Sequence, residues 1–371
     1  MPASIQMSVL RALSSPMMSV LFPIFAWVLM LLSGNALISW LKRLKGMKWT
    51  PREDTPESHG AKAGVPSMGG LGIVGAAILS LIAAVTVIQG LIRLIGMSSV
   101  GQSMWDWVGF TFFPVCVLGH CALGFTDDWS KAKRRGGLSS KAKLLGQIVL
   151  AGLFLLAVRS VLPHLTQLIA KEDGFLYFGW GIGLVCLLLI IGTSNAVNLT
   201  DGIDGLAAGL SVQVALVFGV LFLETFGTSE VGFFASSAEV FWLCLGGGCL
   251  GFLAFNKNPA KVFMGDTGSL ALGAALGAGA ILTRSVFLLP FIGFIFYIEM
   301  FSVIAQVAYF KLTKKKFGEG RRIFRRAPLH HHFELGGWSE WRGVGTFWAI
   351  NALTTILGLI LWKMGILPRF P

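Results

Sequence analysis

Long apolar segments recur along the whole chain, separated by shorter polar connections. Most of them continue for about 20 residues, the length at which an α-helix crosses the hydrocarbon core of a bilayer. They do not alternate apolar and polar positions as the strands of a membrane barrel do. We therefore predict about ten transmembrane helices, near residues 17–41, 69–95, 108–126, 144–162, 177–196, 205–224, 239–255, 267–283, 286–311 and 345–365.

The composition supports an all-α integral membrane protein. The chain is 54% hydrophobic and only 13% charged, with a mean hydropathy of +0.74, whereas soluble domains carry about 25% charged residues. The first apolar stretch is too long for a signal peptide, so we expect it to remain as a membrane anchor. The five cysteines lie in apolar segments without CxxC spacing and are interpreted as packed free thiols. We interpret residues 1–371 as a single polytopic membrane domain.

The basic residues are concentrated in alternate connections between the predicted helices. Most of the 30 Lys and Arg residues follow the first, third, seventh or ninth span, and the positive-inside rule assigns such connections to the cytoplasm. The predicted cytoplasmic loops are approximately 42–68, 127–143, 197–204, 256–266 and 312–344. An even number of spans then leaves both termini in the periplasm. The net charge of +12 is mostly on one face, where it also suits anionic lipids. No nucleic-acid-binding pattern accompanies it.

Acidic, amide and histidine residues collect on this same predicted face. They occur in four separate blocks, "GFTDDWSK", "NAVNLTDGIDG", "FNKNPAKVFMGDTGS" and "RRAPLHHHFE". Each block has a structural alternative: Asp127 and Asp128 could be a solvated helix end, and Asp266 could be a helix N-cap. Three adjacent histidines cannot all face one point on a regular helix, which argues against a three-histidine metal site. Glu299 lies within the ninth span. Acidic residues inside a membrane span usually have a function, so Glu299 is a candidate functional residue.

The chemistry of these blocks favours phosphoryl transfer at the membrane surface. Carboxylate and amide oxygens without cysteine ligands suit Mg²⁺, which is usually held by one or two carboxylates and substrate phosphates. Nearby lysines would neutralise phosphate oxygens. The chain has no Walker A sequence. "GLGIVG" matches the dinucleotide pattern GxGxxG but begins a predicted membrane helix, so we interpret it, like "GAALG", as a helix-packing motif.

Several of these blocks resemble a known family. "DDWSK", "NAVNLTDGIDGL" and "FMGDTGSLALG" are similar to the motifs of the polyprenyl-phosphate N-acetylhexosamine-1-phosphate transferase superfamily. "PSMGG" and "PLHHHFELGGW" add to the resemblance. The histidine stretch is similar to that of the superfamily members that transfer phospho-N-acetylmuramoyl-pentapeptide. The resemblance covers residues from about 52 to the C-terminus. It implies transfer of phospho-MurNAc-pentapeptide from UDP-MurNAc-pentapeptide to undecaprenyl phosphate in the bacterial inner membrane, giving lipid I and UMP, with Mg²⁺ as cofactor and a homodimer as a possible assembly.

The resemblance also implies roles for individual residues. The catalytic residues would be Asp127, Asp128, Asp266 and His330, with Asp266 as the Mg²⁺ ligand. Asn198, Asp201 and Asp204 would lie in the nucleotide-sugar region. Substrate-binding positions near the uridine would be Gly202, Ile203, Asn256 and Phe263. The remaining substrate-binding positions implied by the family's cleft are Lys62, Lys131, Lys143, Gln306, His331 and His332.

Three alternatives remain at this point. A related transferase of N-acetylglucosamine-1-phosphate would share most motifs. A secondary transporter would place its acids deep in the spans and show internal repeats. A lipid-binding scaffold would not need carboxylates of the kind that hold Mg²⁺. Within the transferase reading, direct attack by the lipid phosphate and a two-step route through a phosphoryl-aspartate both remain open.

Overall fold

The chain folds into a bundle of long helices. The computed structural model describes residues 3–44, 64–94, 111–133, 136–161, 178–226 and 235–368. The helices within these ranges are α1 Ala3–Arg43, α2 Gly70–Leu94, α3 Phe113–Ala132, α4 Ser140–Val161, α5 Phe178–Thr200, α6 Leu206–Phe226, α7 Ala235–Asn256, α8 Gly265–Leu282, α9 Leu289–Ile292, α10 Phe294–Phe317, α11 Leu329–Glu334 and α12 Glu340–Lys363.

The prediction of an all-α membrane protein is confirmed. Eight of the described helices are long and apolar enough to cross a bilayer. The other two long helices also correspond to predicted spans. Of these, α6 has a shorter apolar part over Leu206–Phe222, and α3 ends in the charged "DDWSKA". The side of the membrane on which each terminus lies stays a prediction.

Helix α8 is the central element of the bundle. In its span 89% of the residues are buried, against 22% in the span of α4, and α8 packs against α2, α3 and α5. Its sequence, GDTGSLALGAALGAGAIL, is mostly glycine, alanine and leucine. Small residues let neighbouring backbones approach closely, which is how helices associate within lipid. All five cysteines are buried free thiols, as predicted.

Backbone contacts fix the helices around the N-terminal end of α8. A Cβ on Gly70 would lie 2.2 Å from the Gly268 Cα, and one on Gly124 would lie 2.1 Å from the Asp266 carbonyl oxygen. The packing interpretation of "GLGIVG" is therefore confirmed at Gly70. A Cβ on Gly273, in "GAALG", would lie 2.5 Å from the Ser194 Cα of α5. The first turns of α8 thus lie in direct contact with α2 and α3, and α5 packs one to two turns further along.

Candidate active site at the ends of four helices

Three carboxylates meet where the C-terminal end of α3 faces the N-terminal end of α8. Asp127 and Asp128 lie near the end of α3, and Asp266 lies in the first turn of α8. One oxygen from each carboxylate lies within 4.8 Å of the others. Asp127 is 1% exposed and Asp128 is 7% exposed. The fold therefore joins acids from two sequence blocks that lie far apart in the chain.

Asp127 contacts two lysines. Its Oδ2 atom lies 2.6 Å from the Lys131 Nζ and 3.0 Å from the Lys143 Nζ. Its Oδ1 atom accepts a hydrogen bond from the Leu138 backbone N–H at 2.7 Å. Since α4 begins at Ser140, this carboxylate connects the end of α3, the following connection and the start of α4.

Asp128 has a different set of partners, all at the start of α8. Its Oδ2 atom accepts hydrogen bonds from the Thr267 backbone N–H at 3.0 Å and the Thr267 hydroxyl at 2.7 Å. Its Oδ1 atom accepts one from the Asp266 backbone N–H at 3.3 Å. The first amides of a helix have no partner within the helix, and negative charge is favourable there. Asp128 therefore caps α8 across the helix interface, and the alternative of Asp266 as N-cap is wrong, because Met264 occupies that position.

Asp266 links the carboxylates to α4 and α5. Its Oδ1 atom accepts a hydrogen bond from the Asn198 Nδ2 at 2.8 Å, and Asn198 also donates to the Ser269 hydroxyl at 2.9 Å. Its Oδ2 atom lies 3.1 Å from the Lys131 Nζ and also contacts the Lys143 Nζ. Both lysines therefore bridge Asp127 and Asp266.

The donor set of this cluster fits a divalent cation. Three adjacent carboxylates repel one another unless positive charge lies close by. Lys131 and Lys143 offset two of the three negative charges, so the cluster retains a net negative charge. Carboxylate oxygens are hard ligands of the kind that bind Mg²⁺. Asp127, Asp128 and Asp266 could together hold a metal ion.

The connection between α5 and α6 lies next to the carboxylate cluster. Burial, together with the negative charges of Asp266 and Asp128, raises the pKa of Asp201 well above its usual value. Asp204 has a different environment: its Oδ2 atom accepts hydrogen bonds from the Asn258 Nδ2 at 3.1 Å and the Ala260 backbone N–H at 3.0 Å. Of the two acids in "TDGID", Asp201 therefore faces the cluster and Asp204 holds the connection between α7 and α8.

Three of the residues predicted to lie near the uridine are in the loops that adjoin the carboxylate cluster. The buried Asn256 accepts a hydrogen bond from the Gly205 N–H at 3.1 Å and donates to the Val262 carbonyl at 2.9 Å, so it joins two loops. The Phe263 N–H donates to the Pro66 carbonyl at 2.9 Å. The Ile203 side chain is 6% exposed and contributes to the apolar core.

His330 lies under the 201–205 connection. A Cβ on Gly202 would lie 2.2 Å from the His330 Nε2, so only glycine allows this approach. The His330 ring Nδ1 lies 3.3 Å from the Glu299 Oε2, and the His330 backbone N–H donates to the Glu299 Oε1 at 3.1 Å. Glu299, the intramembrane acid singled out in the sequence, thus holds the histidine segment from α10.

The other two histidines, and Gln306 of α10, form hydrogen bonds to neighbouring parts of the chain. His331 pairs with Glu334 at 3.1 Å, and burial lowers the pKa of His331 to about 4, so its ring is neutral at pH 7. His332 accepts a hydrogen bond from the Arg325 backbone N–H at 3.1 Å. Gln306 accepts from the Ile323 and Phe324 backbone N–H groups, both at 3.0 Å. The three histidines therefore have three different partners, as expected for adjacent helical residues.

Some residues of the site carried no signal in the sequence, and one predicted residue is outside the part of the chain that the structure describes. Leu138 contributes only its backbone N–H, which no side-chain pattern reveals. Thr267 and Ser269 belong to the "GDTGS" block, and their position beside Asp266 could have suggested them. Lys62 lies outside the described residues, as does most of the predicted loop 42–68.

The sequence is similar to a family model and to several proteins of known name. Residues 107–284 match the model for glycosyl transferase family 4. Phospho-N-acetylmuramoyl-pentapeptide-transferase from Geobacillus thermodenitrificans is 42% identical over 87% of this chain and 91% of its own length. The proteins of the same name from Moorella thermoacetica and Heliobacterium modesticaldum are 42% and 43% identical, over 91% and 89% of this chain and 96% and 94% of their own lengths.

The agreement with these relatives extends over about nine tenths of the chain, and the residues matched by the family model include Asp127, Asp128 and Asp266. At this identity and coverage the fold and the sequence point to the same conclusion, and the chain belongs to the phospho-N-acetylmuramoyl-pentapeptide-transferase family.

Proposed function

We propose that the protein transfers phospho-MurNAc-pentapeptide from UDP-MurNAc-pentapeptide to undecaprenyl phosphate, forming lipid I and UMP. The observation that carries the proposal is the cluster of Asp127, Asp128 and Asp266 with two lysines, in a chain about 42% identical to transferases of that name. The reaction would be the first membrane step of peptidoglycan synthesis. Its place would be the cytoplasmic face of the bacterial inner membrane, where a soluble nucleotide and a lipid phosphate can meet.

A Mg²⁺ ion suits the carboxylate cluster. Asp266 is the favoured ligand, because it is the most exposed of the three carboxylates, at 13%, and Asn198 orients its Oδ1 atom. Bound there, Mg²⁺ would supply positive charge for the oxygens of the transferring phosphoryl group. Asp128 contributes mainly by capping α8, which fixes the backbone that carries Asp266.

The bond changes of the reaction balance without a net proton transfer. An oxygen of undecaprenyl phosphate forms a bond to the β-phosphorus of the nucleotide sugar. The bond between that phosphorus and the bridging oxygen breaks, and UMP leaves with the oxygen. Because a phosphate monoester has its second pKa near 6, the acceptor is mostly ionised at pH 7 and scarcely needs a base. Lys131 and Lys143 would stabilise the charge spread over the phosphoryl oxygens.

The surroundings of Asp127 favour direct attack over a phosphoryl-aspartate intermediate. Both of its oxygens contact nitrogen donors, and the side chain is 1% exposed. A covalent nucleophile would have to leave these contacts to reach phosphorus. We therefore assign Asp127 the role of holding the two lysines, with weak base catalysis as the most it adds.

The nucleotide would lie beside the 201–205 connection. Asp201 and Gly202 face the cluster and His330 respectively, and Phe263 lies just before Gly265 and Asp266. His330, held by Glu299, would support the 201–205 connection, because its buried Nε2 atom lies against Gly202. Asn256, Asp204 and Gln306 would act by keeping these loops in place.

The proposal is tested by incubating the purified protein with UDP-MurNAc-pentapeptide, undecaprenyl phosphate and Mg²⁺ and measuring UMP and lipid I. UDP-N-acetylglucosamine in place of the pentapeptide donor separates this activity from that of the related N-acetylglucosamine transferases. We expect UMP release only with the pentapeptide donor, and its loss when a chelator removes Mg²⁺. Release only with UDP-N-acetylglucosamine, or none with either donor, would contradict the proposal.

A further inference from the structure

A second polar layer lies deeper in the bundle than the carboxylate cluster. The Gln147 Nε2 donates a hydrogen bond to the Ser194 hydroxyl at 3.0 Å, and that hydroxyl donates to the Leu270 carbonyl at 3.1 Å. The Gln147 Oε1 accepts a hydrogen bond from the Asn195 Nδ2 at 3.1 Å. Gln147 is 1% exposed and Ser194 is fully buried. One continuous chain of hydrogen bonds therefore joins α4, α5 and α8.

On each of the three helices, the residue of this layer lies one turn away from a residue of the site, which is either Asp266 or a residue that contacts Asp266. Residues four positions apart lie on the same face of a helix, one above the other. The pairs are Gln147 with Lys143 on α4, Ser194 with Asn198 on α5, and Leu270 with Asp266 on α8.

The layer matters most for α4, which has little other packing. Only 22% of its span is buried, and its chief contacts are with α3 and α5. A rotation or a sliding of α4 would leave the buried Gln147 amide without hydrogen-bond partners, which is unfavourable for a buried polar group. On the opposite side of the layer, α5 and α8 touch at Gly273, so their spacing is already set.

We infer that Gln147 and Ser194 are positioning residues for the reaction: they fix the rotation and height of α4 against α5 and α8, and so hold Lys143 against Asp127 and Asp266. The inference rests on the proposed function for its catalytic consequence. Its structural consequence, the geometry of the metal-binding carboxylates, does not depend on it.

The main test is Gln147→Leu, which keeps the volume of the side chain and removes its hydrogen bonds. We expect kcat for UMP release to fall about 10–100-fold, because misplaced supporting groups cost that much in activity or metal affinity. Binding of Mn²⁺, followed by electron paramagnetic resonance without substrate, should weaken by a factor in the same range.

A matched control lies elsewhere in the bundle. Gln213 of α6 donates to the Trp348 carbonyl at 3.1 Å and accepts from the Asn351 Nδ2 at 3.0 Å. Gln213→Leu therefore breaks an interhelical network of the same kind that involves none of the carboxylates. It should lower the unfolding temperature as Gln147→Leu does but leave kcat and Mn²⁺ affinity unchanged.

A second variant tests the layer from its other side. Ser194→Ala removes a single oxygen and should reduce kcat and Mn²⁺ affinity in the same direction, which keeps the test available if Gln147→Leu does not fold. Because both residues act through one chain of hydrogen bonds, the double variant should be no worse than the more damaging single one.

The outcomes separate the two proposals. If the wild-type protein releases no UMP, the proposed function is wrong. The Mn²⁺ titrations would still test whether Gln147 and Ser194 position the metal-binding carboxylates. Wild-type kcat and Mn²⁺ affinity in folded Gln147→Leu and Ser194→Ala would overturn the positioning role. Equal losses in Gln213→Leu would overturn it as well, since the effect would then be one of general stability.

Discussion

Replacing Asp127 by asparagine tests how the carboxylate cluster works. The amide keeps an oxygen for the Leu138 backbone N–H, which Asp127 now binds at 2.7 Å. It removes the negative charge that lies 2.6 Å from the Lys131 Nζ and 3.0 Å from the Lys143 Nζ. If Asp127 holds the lysines for direct attack, Asp127→Asn should fold normally and turn over slowly.

The size of the loss follows from the exposure of the two lysines. Lys131 is 41% exposed, so its ion pair contributes about 0.5–1 kcal/mol after solvent screening. Lys143 is 19% exposed, and a hydrogen bond between charged groups there contributes about 1.5–3 kcal/mol. Together these amount to about 2–4 kcal/mol. If Asp127 holds both lysines in the transition state as well, the loss of these contacts lowers turnover by about 30–1,000-fold.

The assay is UMP release by Asp127→Asn between about pH 6 and pH 9. The acceptor phosphate loses its second proton near pH 6, so any contribution of Asp127 as a base is needed only at the acidic end. Part of the loss should therefore recover as the pH rises. Glu319→Gln, which makes the same change of charge at an exposed position, should match the wild type throughout.

The covalent route makes opposite predictions. Asp127→Asn would then be inactive at every pH. Wild-type protein shown to be free of undecaprenyl phosphate would exchange labelled UMP into UDP-MurNAc-pentapeptide. Such exchange without a lipid acceptor would refute direct attack and the role given to Asp127.

Three further predictions address the metal, the histidine contact and the topology. Asp266→Asn should remove the response of turnover to Mg²⁺ while the protein still folds in detergent; a wild-type Mg²⁺ titration would exclude Asp266 as a ligand. Gly202→Ala places a methyl group 2.2 Å from the His330 Nε2, so turnover should fall at least about tenfold, and full activity would show that the ring need not stay there. Because the native cysteines are buried, single cysteines can replace Ser140 and Ser229, the latter outside the described residues. They should react with impermeant reagents from the cytoplasm and the periplasm respectively, and reaction at 229 only from the cytoplasm would reverse the orientation.

The helical architecture could be predicted well from the sequence, because lipid demands long apolar segments. The bounds were less accurate where charges enter a helix. The third span was expected to end near residue 126, whereas α3 continues to Ala132. The helix continues because Asp127 and Asp128 find partners on α4 and α8, and a hydropathy pattern cannot show such contacts.

The site was predictable in outline and not in its pairings. The blocks around Asp127, Asn198 and Asp266 were expected to meet, and they do. No pattern distinguished the two adjacent acids of α3, whose side chains point to different helices. Nor did any pattern show that Asn256 is bonded to the protein backbone, since that depends on loops folded from distant parts of the chain.

Lys131 and Lys143 also have a consequence for how ligands bind. In this structure they are the counterions of Asp127 and Asp266, so a cation approaching these oxygens competes with two ammonium groups. A phosphate ligand that draws the lysines towards itself frees the oxygens for the cation. If the site binds both, the nucleotide and the divalent ion would increase each other's affinity, and thermodynamic linkage requires the factor to be the same in both directions. Each ligand would then bind more weakly in the absence of the other.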